Sequence, residues 1–282
     1  MWLRKRKFND MSPKVSVVMP AYNAEKYVAE AIESILSQTF QDFEFIIIDD
    51  SSTDETWSII QKYSKLNSRI RPYKNESNLK LSKTLNRGID LASGTYIARM
   101  DADDISTVAR LEKQCNYMEQ HPDVGIVGGA MEIMNVDGKT IGKRSYRLTD
   151  EQIRKKIYRY SPFCHPAIMI RSSILKSAGT YDGIWNPAED YELYFRIGKY
   201  SQFANLQDVL LRYRIIPKSM TTGSTSKMYW KTVEIRRKYS DQGPYTMKWS
   251  DKVYGALQML AMYIIPPSWK IRLFNVIRND KV

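Results

Sequence analysis

The sequence predicts an α/β fold with a mostly parallel central sheet and a helical extension at its C-terminal end. Three observations carry that expectation. Short β-rich runs alternate in order with stretches whose apolar residues recur at helical spacing. Three of those runs stop abruptly at polar or acidic residues, Tyr22, Asp50 and Asp101. In parallel sheets ligands bind beyond the carboxyl ends of strands, so these three residues are placed to line one crevice. Finally, no glycine precedes Gly88. A dinucleotide-binding turn needs G-x-G-x-x-G after the first strand, and a P-loop needs G-x-x-x-x-G-K, so both are excluded.

The elements follow in chain order. Val15-Ser16-Val17-Val18-Met19 reads as the first strand, closed by Pro20-Ala21-Tyr22-Asn23; Val28, Ile32, Ile35 and Leu36 mark a helix behind it. Phe43 to Ile48 is a second strand running into Asp49-Asp50-Ser51-Ser52-Thr53-Asp54. Those short polar residues suit the cap of a helix carrying Trp57, Ile60 and Tyr63. A short strand around Ile70–Tyr73 and a helix with Leu81, Leu85 and Ile89 lead to the strand Tyr96-Ile97-Ala98. Ser106-Thr107 is expected to start the next helix, on which Val108, Leu111, Cys115 and Met118 form the buried side until His121-Pro122 stops it. Val124–Met134 reads as a strand, Asp137-Gly138 as a hairpin turn, and Thr149-Asp150-Glu151-Gln152 as a capping box. Phe163 to Ile170 is expected to be one buried strand, and Ala188 to Phe195 a helix with Glu189 and Asp190 in its first turn.

At 282 residues, 43% hydrophobic and 26% charged, the composition is that of a globular protein. Cys115 and Cys164 are its two cysteines, too few for a disulfide framework or a cysteine-based zinc site. The basic start, Arg4-Lys5-Arg6-Lys7, lacks an apolar signal region, which leads to an expected cytoplasmic location. Residues 1–110 hold 16 Lys+Arg against 15 Asp+Glu, whereas 111–282 hold 27 against 16. An anionic partner is therefore expected for the C-terminal part.

The stretch Arg99-Met100-Asp101-Ala102-Asp103-Asp104-Ile105 sets three carboxylates at a strand end. Like charges so placed repel and are costly to hold together without a cation. Hard divalent ions such as Mg²⁺ or Mn²⁺ take oxygen ligands, often one or two carboxylates with substrate phosphates. The alternative is a solvated acidic turn that caps the next helix. By itself the D-x-D favours that alternative; the rest of the chain tips the balance.

Six stretches together resemble family 2 glycosyltransferases of the GT-A fold. They are Val15–Asn23, Ile35–Phe40, Asp49–Asp54, Asn86–Ile89, Ala92–Ala98 with Asp101–Asp104, and Ala188–Leu193. The resemblance spans about residues 13 to 217. It implies an inverting enzyme that moves a sugar from a UDP-sugar donor to a hydroxyl of a saccharide or lipid-linked acceptor, in bacterial cell-surface polysaccharide synthesis. Pro20, Ala21 and Tyr22 would form the floor under the base, with Tyr22 stacked on it. Asp50 would accept from uracil N3–H, and Lys80 would lie near the base or diphosphate. Asp101 and Asp103 would contact the ribose and, with Asp104, hold Mn²⁺ or Mg²⁺ on the diphosphate. Asp190 would be the general base. One departure is Ile216, where many relatives carry a histidine before Pro217; His165 is a candidate substitute but reads better as a core histidine.

The domain reading is a basic tail over 1–12, a glycosyltransferase domain over 13–218, and an extension over 219–282. The domain divides into a nucleotide-binding half (about 13–104) and an acceptor half (about 105–218). Ser219–Ser226 reads as a loop able to close over the donor. Residues 225–282 hold 11 Lys+Arg and 4 Asp+Glu, and Ala256–Pro267 is apolar but too short to span a bilayer. This segment is expected either to pack or to touch the inner face of the membrane, with Trp249 and Trp269 beside it. Two other functions compete. A nucleotidyltransferase making a nucleotide-sugar would need a glycine-rich, basic loop after the first strand, where Pro20-Ala21-Tyr22-Asn23 stands. Nucleic-acid binding would explain the net charge of +12, yet the charge is thin where the motifs are dense. No nucleic-acid partner is expected, and the sequence leaves the oligomeric state open.

Overall fold

The computed structural model describes residues 12–216 and 225–264. The basic tail up to residue 11, residues 217–224 with most of the expected donor loop, Trp269 and the charged end of the chain lie outside the described residues.

One nine-stranded sheet runs through both halves of the expected domain. Its parallel part is β1 (Val15–Ala21), β2 (Phe43–Asp49), β3 (Ile70–Lys74) and β4 (Tyr96–Arg99), in the order β3-β2-β1-β4. Between these strands lie α1 (Val28–Leu36), α2 (Thr56–Leu66) and α3 (Leu81–Leu91), as the alternation requires. Register aligns Ala21 with Asp49 and Val18 with Arg99, so the three strand ends open on one edge.

Past β4 the sheet turns mixed. The short β5 (Ile105–Ser106) pairs antiparallel with β9 (Gln202–Arg214). The long β6 (Val124–Met134) pairs parallel with β9 and antiparallel with β7 (Thr140–Arg144) and β8 (Met169–Arg171). Strand β8 slots antiparallel against β4, which joins the two halves. The parallel expectation therefore holds for the first four strands and gives way to antiparallel pairing around β8.

Two local expectations are corrected. Ser106 does not begin a helix: its amide donates to Ser34 Oγ at 3.0 Å and it pairs with Leu211. The helix α4 starts at Arg110, which leaves Val108 exposed and not in the core. Phe163–Ile170 is likewise not one strand. Pro166 lacks an N–H for a ladder, and His165–Ala167 forms a 3₁₀ turn ahead of β8. Cys115 is buried as expected. Thr149 caps the next helix as expected, Gln152 N donating to its Oγ1 at 3.4 Å, but Gln152 Oε1 reaches one residue past the cap and accepts from Leu148 N at 3.2 Å; the helix, α5 (Asp150–Arg154), is only five residues long.

Strands β1, β2 and β4 are buried on both faces, so their apolar runs are nearly continuous. Val15, Val17 and Met19 join one core layer with α1 and Phe45, while Val18 joins the other with Leu85 of α3. That second layer packs α6 (Ser172–Ala178), α7 (Glu189–Ile197) and α8 (Thr225–Lys238). Helix α8 reaches α7 through Tyr239, whose ring stacks on Phe195 at 4.8 Å. A final helix, α9 (Trp249–Ile264), follows. Among the described residues no helix is long and apolar enough to cross a membrane.

Candidate active site

Each strand end contributes a fixed piece of backbone. Beyond β1, Asn23 takes a left-handed conformation (φ +48°) and its Oδ1 accepts from Thr53 N at 2.9 Å. Asp50 N donates to Ala21 O at 2.7 Å, tying the ends of β1 and β2 together. Tyr22 projects from this edge half exposed. Pro20 and Ala21 line the strand beneath it.

Asp50 is buried and already employed. Its Oδ1 accepts from Asn75 Nδ2 at 2.6 Å and from Leu79 N at 2.8 Å, and its Oδ2 accepts from Lys80 N at 3.0 Å. A carboxylate has about four lone-pair sites, so one on Oδ2 is left for a further donor. The carboxylate also fixes Lys80, whose φ of +69° turns the chain into α3 with its side chain exposed. Asn75 was not singled out by sequence reasoning; its partner lies twenty-five residues away, too far for any local pattern to reveal.

The acids after β4 sit as close as the motif suggests. Asp101, Asp103 and Asp104 offer oxygens all within 4.8 Å of one another. They are not without a cation, as the sequence alone suggested. The buried Arg99 grips Asp101 at both ends, Nη1 to Oδ2 at 2.7 Å and Nη2 to Oδ1 at 2.6 Å. Burial alone would weaken the Arg99 charge; Asp101 outweighs it and holds the guanidinium firmly protonated. Its spacing two residues before Asp101 on a strand end was the readable signal for this pair.

Asp103 and Asp104 share no such partner. Burial, then the charge of Asp101, pushes the Asp103 carboxyl up to about 6. Burial, then Asp103 and Asp101, raises Asp104 well above the usual carboxylate range. Asp104 Oδ1 accepts from Arg214 N at 2.8 Å, but its Oδ2 is buried with no protein partner. An orphaned buried carboxylate oxygen beside two further acids is the donor set a hard divalent cation takes. Asp103 and Asp104 fit that role; Asp101, with both oxygens on Arg99, is the weakest ligand of the three. Arg214 braces the loop, donating from Nε to Asp103 O at 2.9 Å, from Nη1 to Val136 O at 3.0 Å and from Nη2 to Glu30 Oε2 at 2.5 Å. From below, the fully buried Arg110 donates to the Arg99 carbonyl at 2.6 Å, and burial lowers its own pKa to about 10.

A second pair of carboxylates is carried by α7. Two contacts fasten its approach to α3. Asn86 exchanges bonds with the Tyr181 backbone, Nδ2 to O at 2.8 Å and N to Oδ1 at 2.9 Å, and Ser82 Oγ reaches Asn186 Oδ1 at 3.1 Å. Asp190 and Glu189 then stand in the first turn of α7. Burial raises Asp190, while the Tyr191 amide and the Arg99 charge pull it back. Glu189 is buried with Oε2 unpartnered; burial and then Asp190 lift it to about 7. The buried Arg99 bonds Asp101, and its charge also pulls Glu189 and Asp190 down against the effect of burial. His165 is no metal ligand candidate here: its Nε2 lies 2.7 Å from the Tyr181 hydroxyl, and burial drives its pKa well below the usual value. Ile216 is half-buried at the end of β9.

A mixed α/β sheet with an acid cluster beyond β4 and a carboxylate pair on α7 has the architecture of the GT-A fold. The sequence profile of Glycosyl transferase family 2 matches residues 16–179, and the chain belongs to that family. It is therefore a glycosyltransferase. It is 37% identical over 207 residues to the putative glycosyltransferase EpsE of Bacillus subtilis, covering 72% of this chain and 73% of that one. It is 36% identical over 209 residues to the O-antigen biosynthesis glycosyltransferase WbnJ of Escherichia coli, covering 73% and 81%. Among solved structures, S. aureus TarS 1-349 in complex with UDP-GlcNAc superposes with a TM-score of 0.67 at 21% identity, over 86% of this chain and 70% of that one. This last likeness is one of fold.

Proposed function

We propose that the protein is an inverting, metal-dependent glycosyltransferase that moves a sugar from a UDP-sugar to a hydroxyl of a saccharide or lipid-linked acceptor. We place it in cell-surface polysaccharide synthesis, at the cytoplasmic face of the membrane. The observation that carries the reading is two carboxylate groups that both feel the Arg99 charge: three acids within 4.8 Å beyond β4, and Asp190 on α7. Support for the setting comes from WbnJ, whose O-antigen pathway is a polysaccharide one.

Each residue has a task. Tyr22, above Pro20 and Ala21, offers a ring to the base, and Asp50 Oδ2 has one lone pair left for uracil N3–H. Lys80, exposed beside Asp50, faces the diphosphate. Asp103 and Asp104 would hold Mn²⁺ or Mg²⁺, and Asp101, fixed by Arg99, would meet the ribose. A divalent cation bound there offsets the charge of the departing diphosphate. Asp190 takes the acceptor hydroxyl proton as that oxygen attacks from the opposite side. Burial raises the Asp190 carboxyl against the pull of the Tyr191 amide and Arg99, which makes it a stronger base than an exposed aspartate.

The test is a panel of nucleotide-sugars with Mn²⁺ or Mg²⁺, read by release of nucleoside diphosphate. UDP-sugars are expected to turn over and GDP- and dTDP-sugars to lag; a preference for GDP overturns the uridine assignment. In parallel, calorimetry of UDP with Mn²⁺ is expected to show binding to the native chain and none to Asp103→Ala. Equal affinity in the two removes the metal assignment.

A further inference from the structure

Helix α9 is built inside out. Its polar side faces the protein. Buried Asp251 accepts from Arg159 Nε at 2.7 Å, and Gln258 Oε1 accepts from Arg236 Nη1 at 3.0 Å. The Gly255 carbonyl accepts from the Tyr229 hydroxyl at 3.0 Å, and the Arg159 guanidinium lies over the Tyr254 ring. The opposite side carries Trp249, Val253, Ala256, Leu257 and Leu260, which recur at helical spacing. Trp249 is 78% exposed, Leu257 60% and Leu260 55%. A surface helix of a globular protein turns its apolar stripe inward. Here ionic and polar bonds hold the helix in the reverse orientation, and the stripe points away from the molecule.

The surroundings of the stripe say what covers it. Lys248 and Lys252 are exposed along one flank, and Lys227 and Arg237 are exposed on the neighbouring α8, against Glu234 and, beyond its end, Asp241. A tryptophan at one end, leucines along the middle and lysines on the flank match a helix lying in the plane of an anionic bilayer. The helix is sixteen residues long, enough to lie along the interface and too short to cross it. We propose that this face of α9 docks on an anionic lipid surface, with Leu257, Leu260 and Trp249 inserted among the acyl chains.

The packing also says which force dominates. Arg236 is buried on Gln258 and on the Arg159 carbonyl, Arg159 is spent on Asp251, and Lys238 reaches Glu192 at 2.9 Å. Arg236 and Lys238, two of the basic side chains that give the segment its charge, are therefore held by bonds within the protein. Charge brings the protein to the surface; the apolar side chains keep it there, so attachment resists salt. The proposal deepens the reading of a membrane-side glycosyltransferase, but it is tested without donor or acceptor, so the two stand or fall separately.

The experiment is flotation of the full chain with vesicles of phosphatidylcholine alone or with one quarter phosphatidylglycerol, at low and high salt. Wild type is expected on the anionic vesicles at low salt and to remain there when salt is raised after binding. Leu257→Glu/Leu260→Glu is expected to bind on the order of a hundredfold more weakly, since two leucine side chains no longer enter the interface. Its circular dichroism and UDP binding are expected to be unchanged, which confirms that it folds. Trp249→Phe is expected to remove most of the blue shift in fluorescence that vesicles produce. Three results overturn the proposal: wild type left in the aqueous fraction with anionic vesicles, full release by salt, or undiminished binding by the double variant. A wild-type dimer that the double variant dissociates, with no vesicle binding, assigns the face to a second copy of the chain. Vesicle binding that appears only after removal of 265–282 assigns it to that segment.

Discussion

Replacing Arg99 by methionine separates its role as an internal counter-charge from the roles of the acids it serves. Arg99 is 4% exposed and pairs with both oxygens of Asp101. Removing one partner of a buried pair costs about 3–5 kcal/mol. A quarter of the Asp101 side chain reaches solvent (25%), which places the loss at the low end, about 3 kcal/mol. In a chain of this size that lowers the thermal midpoint by about 6–9 °C. The three carboxylates would then face one another with no cation between them, and Mn²⁺ should stabilise the variant more than the wild type. At about a hundredfold excess over its dissociation constant, bound metal returns about 2.7 kcal/mol. Differential scanning fluorimetry with and without Mn²⁺ measures both effects. A variant as stable as wild type, or an equal Mn²⁺ shift in the two proteins, would refute the idea that Arg99 balances the acid cluster.

Asp190→Asn should keep UDP binding while transfer falls about 10²–10⁴-fold, the usual worth of a general base; loss of UDP affinity in parallel with turnover would reassign Asp190 to the donor. Asp50→Ala removes the acceptor for the Leu79 and Lys80 amides. It should cost about 2–3 kcal/mol in urea unfolding and narrow the UDP-over-GDP preference, because buried donors are left unsatisfied. Unchanged stability would show that the amides find other partners. The pH dependence follows from the raised acids. Glu189 and Asp103 hold protons up to about 7 and about 6 when folded, whereas unfolded carboxyls release theirs near 4. Between those values the folded state binds more protons, so metal-free stability should fall as pH rises from about 5 to about 7. Glu44 and Glu192, shifted the other way, lose their contribution only below that window, while the buried His165, which protonates near 6.5 only when unfolded, offsets part of the fall in its lower half. Calorimetry across this range is the check; a midpoint that rises with pH contradicts the assignment of the buried acids.

What the sequence made legible was local. The strand ends at Tyr22, Asp50 and Asp101 were readable because an apolar run and its polar stop lie within a few residues of each other, and the register of β1, β2 and β4 brings them to one edge. The cap at Thr149 and the hairpin at Gly138 were readable for the same reason, each being a rule over four residues. The mixed half of the sheet was not. Strand β8 enters between β4 and β6, a pairing set by contacts more than forty residues apart. The brace from Arg214 to Asp104 spans 110 residues and leaves no mark in either segment. The burial of Arg110 among apolar residues breaks the ordinary rule for charged side chains, and its reason, a carbonyl to hold under the acid loop, is visible only in three dimensions.

The reciprocal pair between Asn86 and the Tyr181 backbone has a consequence for recombination. It fastens a helix of the donor half to the loop that leads into α7, through one side chain and main-chain atoms alone. The identity of residue 181 does not enter the bond; the asparagine does. A chimera that takes its second half from another family member would keep this joint provided Asn86 stays in the first half and the backbone of the incoming loop follows the same path. The segment beyond the splice could then be exchanged while the first four strands stay fixed, with Asn86 as the residue to retain on the parent side.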